Sequence, residues 1–178
     1  MPRWLALLVV AVAAPLPAAD PPPKAHQIPY RLTDTKHVLV RVKLNGKGPF
    51  NFILDTGAPA VFLSKKVGEA AGLKPDADGW ADVKAFDVEG GLTVPGTKAR
   101  VEDLFQLRGM NGMGLAGVEL HGVVGYTVLA KYRITFDFAA DKLAWEPLDF
   151  DPPPLQRVGG KGGQGGLEVL GPVMEILA

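Results

Sequence analysis

Apolar and polar residues alternate along two neighbouring stretches of the chain. Val38, Val40, Val42 and Leu44 recur at every second position with Arg41 and Lys43 between them, the period of a half-buried strand. Asn45-Gly46-Lys47-Gly48-Pro49 then turns the chain, and Phe50, Phe52 and Leu54 alternate with Asn51 and Ile53. The two stretches are predicted to pair as an antiparallel hairpin whose second strand ends at Asp55. Ala60–Leu63 reads as a further short strand, Ser64 as an N-cap, Lys65–Ala71 as a helical turn or two, and Gly72 as its stop. Between Lys74 and Val101 the apolar pieces Val83–Val88 and Leu92–Val94 are broken at Glu89-Gly90-Gly91 and Pro95-Gly96, which predicts hairpins without fixing their register. Gly109-Met110-Asn111-Gly112-Met113-Gly114 is a loop by composition, Val118–Leu120 a strand, and Gly122-Val123-Val124-Gly125 leads into a short helix over Tyr126–Lys131. Ile134, Phe136 and Phe138 alternate again, a turn falls at Ala140-Asp141-Lys142, and Leu143–Trp145 return as the last strand. The expectation is one mostly β domain over residues 28–148 with one or two short helices.

The flanks have a different character. Arg3 precedes an apolar run from Trp4 to Ala14, and Pro15–Ala19 supply breakers and small residues, so residues 1–19 read as a secretory signal peptide. That run is about half of the roughly 20 residues a membrane-crossing helix needs. The expectation is therefore export, to the periplasm or the medium, with no stable membrane span once the leader is removed. Residues 20–27 form a Pro-rich linker around Pro21-Pro22-Pro23, stiff because each proline fixes its φ. Residues 149–178 form a second linker, with Pro152-Pro153-Pro154 and six glycines between Gly159 and Gly166, ending in the apolar stretch Leu167–Ala178. That stretch reads as a short tail or as the start of a truncated PDZ-like module.

Charge narrows the function. Lys+Arg and Asp+Glu number 19 each, for a formal net charge of zero, which gives no electrostatic footprint for a nucleic-acid partner. The chain has no cysteine, so an exported protein of this sequence relies on its core or on association rather than on disulfides. No metal or organic cofactor is expected. His26, His37 and His121 lack ligand spacing, Asp76-Ala77-Asp78-Gly79 lacks the later ligands of a calcium loop, and Ser64 lies in no nucleophile elbow.

Candidate chemistry concentrates in Phe52-Ile53-Leu54-Asp55-Thr56-Gly57-Ala58, where an apolar strand carries a carboxylate into a tight turn. Taken alone, Asp55 is also an ordinary turn aspartate accepting backbone amides. Together with Gly122-Val123-Val124-Gly125 and the helix after it, the segment resembles the retropepsin-like aspartic proteases, over most of Val38–Trp145. The resemblance implies a closed, barrel-like β lobe with Asp55 catalytic. Thr56 would reach across to a partner loop, Gly57 would allow the turn, and Ala58 would leave the cleft floor open. Val123, Val124 and Gly125 would pack beside the catalytic turn. Gly90 and Gly91 are the candidate tip of a substrate-covering flap, and Met110 and Met113 are candidate cleft contacts. The chain holds one such motif, since Asp34-Thr35-Lys36 lacks the glycine, so the implied enzyme is a homodimer sharing one site. It would be an aspartic endopeptidase acting on polypeptide, with water activated between Asp55 and the Asp55 of a second protomer. The alternatives are a non-catalytic dimerisation or peptide-binding module of the cell envelope, and an envelope adaptor whose further C-terminal part binds peptide ends.

Overall fold

The computed structural model describes residues 24–153. Residues 1–23, which hold the predicted signal peptide and the first part of the predicted Pro-rich linker, and residues 154–178 lie outside the described residues. The elements run β1 (His26–Gln27), β2 (Tyr30–Leu32), β3 (Val38–Leu44), β4 (Lys47–Leu54), β5 (Val61–Leu63), α1 (Lys65–Ala70), β6 (Trp80–Val83), β7 (Phe86–Val88), β8 (Leu92–Val94), β9 (Thr97–Val101), α2 (Phe105–Gly112), β10 (Gly122–Val124), α3 (Tyr126–Leu129), β11 (Tyr132–Asp137) and β12 (Lys142–Pro147).

The protein is mostly β, as expected. Its main sheet runs β6-β9-β5-β10-β4-β3-β7-β8, with β2 also paired to β3, and curls into a half-barrel with β6 and β8 at its ends. The predicted first hairpin is present, with Leu39 opposite Ile53, Val40 opposite Phe52 and Val42 opposite Phe50. Its turn is tighter than expected. Asn45 and Gly46 alone reverse the chain, both at positive φ, which is the backbone a two-residue hairpin needs, and Lys47–Pro49 already belong to β4.

Two apolar clusters flank the central strands. Val40, Val42, Leu44, Phe52 and Val124 face the larger one, whereas Leu39, Ile53 and Val123 face the smaller. Both faces are therefore covered, and this accounts for the near-continuous apolar runs Val38-Leu39-Val40 and Phe52-Ile53-Leu54, where strict alternation would mark a solvated face. A second sheet, β1-β12-β11, adds Leu143 and Trp145 to the larger core, which Ile28 joins from just past β1. In the first helix, Ser64 Oγ accepts from Val67 N at 3.3 Å, and Gly72 follows the helix at φ +68°, the left-handed position that glycine adopts without a Cβ penalty.

Several expectations need correction. The stretch around Gly109–Gly114 is the end of helix α2, so there are three helices rather than one or two. Its glycines lower helix propensity, but tertiary contacts outweigh that cost: Leu107 is buried in the smaller cluster and Met110 packs against it. Val118–Leu120 forms no strand. Its end is held by the Asn111 side chain, whose Oδ1 accepts from Leu120 N at 2.8 Å and whose Nδ2 donates to Leu120 O at 2.8 Å. The Val83–Val88 strand is split, because Lys84 and Ala85 leave the ladder and Ala85 exchanges hydrogen bonds with Asn45 instead. β1, β2, β6 and β9 lie where the periodicity predicts no strand. Their short or mixed segments are recruited by neighbours in the sheets, not by their own pattern.

Trp145 has no exposed surface and lies against Tyr132 at 5.3 Å between ring centroids. Trp145→Ala is expected to lower unfolding free energy by about 3–5 kcal/mol, read as a lower denaturant midpoint at an unchanged m-value. A shift below about 1 kcal/mol would show that the second sheet is not part of the cooperative core.

Candidate active site

Consecutive strands β4 and β5 are not hydrogen-bonded to each other, because β10 is threaded between them. β10 runs parallel to β4, with Val123 opposite Ile53 and Val124 opposite Leu54, and antiparallel to β5, with Val123 opposite Phe62. The loop joining β4 to β5 must therefore pass over the end of β10, and that loop contains Asp55.

Hydrogen bonds fix the crossing. Asp55 N donates to Val124 O at 3.0 Å, Ala58 N to Asp55 O at 3.2 Å, and Tyr126 N to Ala58 O at 2.8 Å. Gly125 lies where the chain leaves β10, and a Cβ there would fall on the carbonyl oxygens of Ala58 and Ala60. Its backbone is extended, at φ −112°, so glycine is required here by close approach and not by conformation. At Gly57 the approach is milder: its amide donates to Asp55 Oδ1 at 2.8 Å, and a Cβ would sit 3.2 Å from that side-chain oxygen. The family resemblance implies one neighbourhood for Asp55, Thr56, Gly57, Ala58, Val123, Val124 and Gly125, and the structure brings them together.

The Asp55 carboxylate is exposed. Gly57 N binds one oxygen, and Oδ2 accepts no hydrogen bond from the described residues. Thr56 is also exposed, and its hydroxyl has no partner among them. Both residues line a groove of about 930 Å³ whose other walls are mainly apolar, including Leu54, Tyr126, Ile134, Phe136 and Phe150. The last three read from sequence only as strand and linker positions. An alternating run with Phe138 marks Ile134 and Phe136, and it leaves Phe136 and Phe138 43% and 62% exposed, whereas no local pattern marks Phe150.

Other candidates lie elsewhere. Gly90 and Gly91 form the β7–β8 turn, where Val88 pairs with Leu92, and neither lines the groove. Gly90 is exposed, but its backbone comes close to the first strand, so that a Cβ would meet the Gln27 carbonyl oxygen and Pro29 Cδ. Met110 packs on the smaller cluster beside Ala58, and Met113 is 69% exposed. Neither methionine lines the groove. Among the described residues, no three His, Asp or Glu side chains converge to hold a metal ion, and no helix is long and apolar enough to cross a membrane.

At the entry to β10, the imidazole of His121 takes part in the sheet. Its Nδ1 accepts from Asn51 N at 3.0 Å, while His121 N donates to Asn51 O at 2.8 Å. This requires an unprotonated Nδ1. Burial holds the His121 pKa below its usual 6.5; Glu119 opposes that shift and Lys66 adds to it.

The Asp_protease_2 family model, described as aspartyl protease, matches residues 40–128. No curated protein matches the chain. Among solved structures, the chain is similar to a retropepsin-like aspartic protease from Rickettsia conorii, at 19% identity and a TM-score of 0.47, covering 70% of this chain and 92% of that one. It is also similar to the retroviral protease-like domain of Ddi1 from Leishmania major, at 13% identity and a TM-score of 0.40, covering 64% of this chain and 96% of that one.

The crossing and its approach give two testable outcomes. Gly125→Ala should displace the Asp55 turn and lower the thermal midpoint by several degrees, consistent with overpacking costs of about 1–3 kcal/mol; an unchanged midpoint would refute the close approach. His121 has a folded-state pKa below its unfolded value. Its contribution is therefore fully present above pH 6.5 and is lost as pH falls through the lowered folded pKa. Urea midpoints of the wild type should fall more steeply below pH 6.5 than those of His121→Gln; parallel curves would show that His121 does not titrate against folding.

Proposed function

The chain belongs to the aspartyl protease family, and we propose that it hydrolyses peptide bonds as a homodimer with one site built from two copies of Asp55. The observation that carries this reading is the state of Asp55. It stands at the end of an apolar strand on the rim of an open groove, with its turn fixed by β10 and one carboxylate oxygen left without a donor among the described residues. A lone exposed carboxylate is a poor acid-base catalyst, because one group cannot be proton donor and acceptor at the same moment. Two close carboxylates sharing one proton supply both forms, since ionising both would place like charges side by side.

Each carboxylate then has a distinct task. The ionised one takes a proton from water as the water oxygen bonds to the peptide carbonyl carbon. The protonated one donates to the carbonyl oxygen as charge develops there. Collapse of the tetrahedral intermediate breaks the C–N bond, the nitrogen leaves with a proton, and the carboxylates return to sharing one. The pair titrates as a unit rather than as two separate groups.

Thr56 supports the pairing, because it is exposed beside Asp55 and its hydroxyl is unpartnered among the described residues of the protomer. It is suited to bond the partner's turn across the two-fold axis. The groove leads from Asp55 along apolar side chains, which suits an extended polypeptide substrate. The leader pattern at residues 1–19 supports action outside the cytoplasm.

Cleavage of a mixed peptide library by the leader-free protein, from acidic to neutral pH, tests the reading directly. Asp55→Asn should remove at least about 10²–10⁴ of the rate while leaving the dimer intact; retained cleavage would overturn the assignment. No cleavage by a verified wild-type dimer would favour the peptide-binding alternative. Thr56→Ala removes two symmetric hydroxyl bonds worth about 1 kcal/mol each, so the dimer Kd measured by sedimentation should rise roughly 30-fold. An unchanged Kd would place Thr56 outside the interface.

A further inference from the structure

Strand β10 is three residues long and is tied at both ends to the same two strands. At its far end Val124 O accepts from Asp55 N, in the turn that joins β4 to β5. At its near end His121 holds β4 and the end of β5 together. Its Nδ1 accepts from Asn51 N at 3.0 Å, its backbone N donates to Asn51 O at 2.8 Å, and its carbonyl accepts from Ser64 N, just past β5, at 3.2 Å. Between the two ends there is no slack. A Cβ on Gly122 would fall on the Phe52 ring and the Phe62 carbonyl oxygen, so β10 has no room to shift against either strand.

Of these end bonds, only the one at Nδ1 depends on a proton. Its donor is a backbone amide, which cannot reverse its role, so the hydrogen of the neutral ring sits on Nε2. The charged groups facing the imidazole are Glu119 on its own segment, with Oε2 3.7 Å from Nε2, and Lys66 from α1, whose Nζ lies 3.5 Å from Glu119 Oε1. β4 presents Asn51 and the uncharged Phe50 ring, 5.6 Å away between centroids. The side chain is 20% exposed, so solvent protons reach it. A proton taken up at Nδ1 sets two N–H groups against each other. The ring must then turn away, and the part-buried Asn51 amide loses its acceptor. Burial places this change below the usual pH 6.5, with Glu119 opposing that shift and Lys66 adding to it.

We propose that His121 is a proton-operated switch on the support of Asp55: the neutral ring holds β4 and β5 onto β10 and keeps the Asp55 turn in place, and the protonated ring releases the start of β10 and loosens the turn. The site it governs is the one proposed above, so its consequence rests on that reading. The site is held together near neutrality and is switched off in acid, where a shared carboxylate pair would still hold its one proton.

Amide exchange at position 55 reads the turn without requiring catalysis. From about pH 7 to about pH 4, the protection factor of that amide should fall about tenfold or more in the wild type. It should hold in His121→Asn, whose carboxamide oxygen can accept from Asn51 N without titrating. Glu119→Gln removes the charge that favours the protonated ring and should move the midpoint to lower pH, whereas Lys66→Gln should move it higher. The two charge variants decide the matter alone if His121→Asn does not fold. An equal fall in His121→Asn, or a midpoint indifferent to both charge variants, overturns the proposal. Peptide cleavage separates the two readings: the acid limb of activity should follow the loss of protection and move to lower pH in His121→Asn. Protection that tracks His121 in a chain that never cleaves peptides sinks the protease reading alone, and cleavage with the same acid limb in His121→Asn sinks the switch alone.

Discussion

One backbone contact organises this protein: the amide of Asp55 donating to the carbonyl of Val124, where the β4–β5 loop crosses over the end of β10. Threading a strand between two consecutive strands forces their connection to bridge it, and a bridging loop cannot relax into an ordinary hairpin turn. The loop that carries the acid is thereby pinned to the sheet, whose central strands are buried on both faces. Gly125 allows the crossing to be close, because any side chain there would strike the carbonyls of Ala58 and Ala60. At the acid itself, the Gly57 amide donates to Oδ1 at 2.8 Å.

The two clusters on either side of the central strands explain why the crossing is stiff. Val124 points into the larger and Val123 into the smaller, so β10 cannot rotate without opening a cavity in one of them, and tightly packed interiors resist that. Asn111 and His121 secure the approach to β10 with side-chain bonds to backbone, at Leu120 and Asn51. In contrast, the face beyond Asp55 and Thr56 is open and apolar. A stiff support beside an uncovered apolar face is what the proposed shared site requires of each copy.

Much of this is legible in the sequence where local pattern and global fold agree. The alternation of Val38–Leu44 and Phe50–Leu54, the Ser64 cap and the Gly72 stop mark β3, β4 and α1 because those segments bury one face at a regular period. The Asp55 turn and Gly122–Gly125 are legible as a pair only through their resemblance to the motifs of a known family. Helix α2 is not, since Gly109, Gly112 and Asn111 signal a loop, and the contacts that override them, Leu107 in the smaller cluster and Asn111 on Leu120, depend on packing that no local pattern shows. The groove walls are hidden for the same reason. Ile134 and Phe136 show their period, but nothing local says that they face Asp55. Gly90 and Gly91 do form an exposed turn, with Gly90 alone close to the Gln27 carbonyl, and neither lines the groove.

The proposed function requires two copies of the chain to share one site, and subunit mixing measures that sharing most directly. Wild type and Asp55→Asn are equilibrated at fixed total concentration, and peptide cleavage is followed against the wild-type fraction. If each site needs an aspartate from both protomers, mixed dimers are inactive and activity falls as the square of that fraction. A linear fall would show that a single Asp55 suffices and would contradict the shared site.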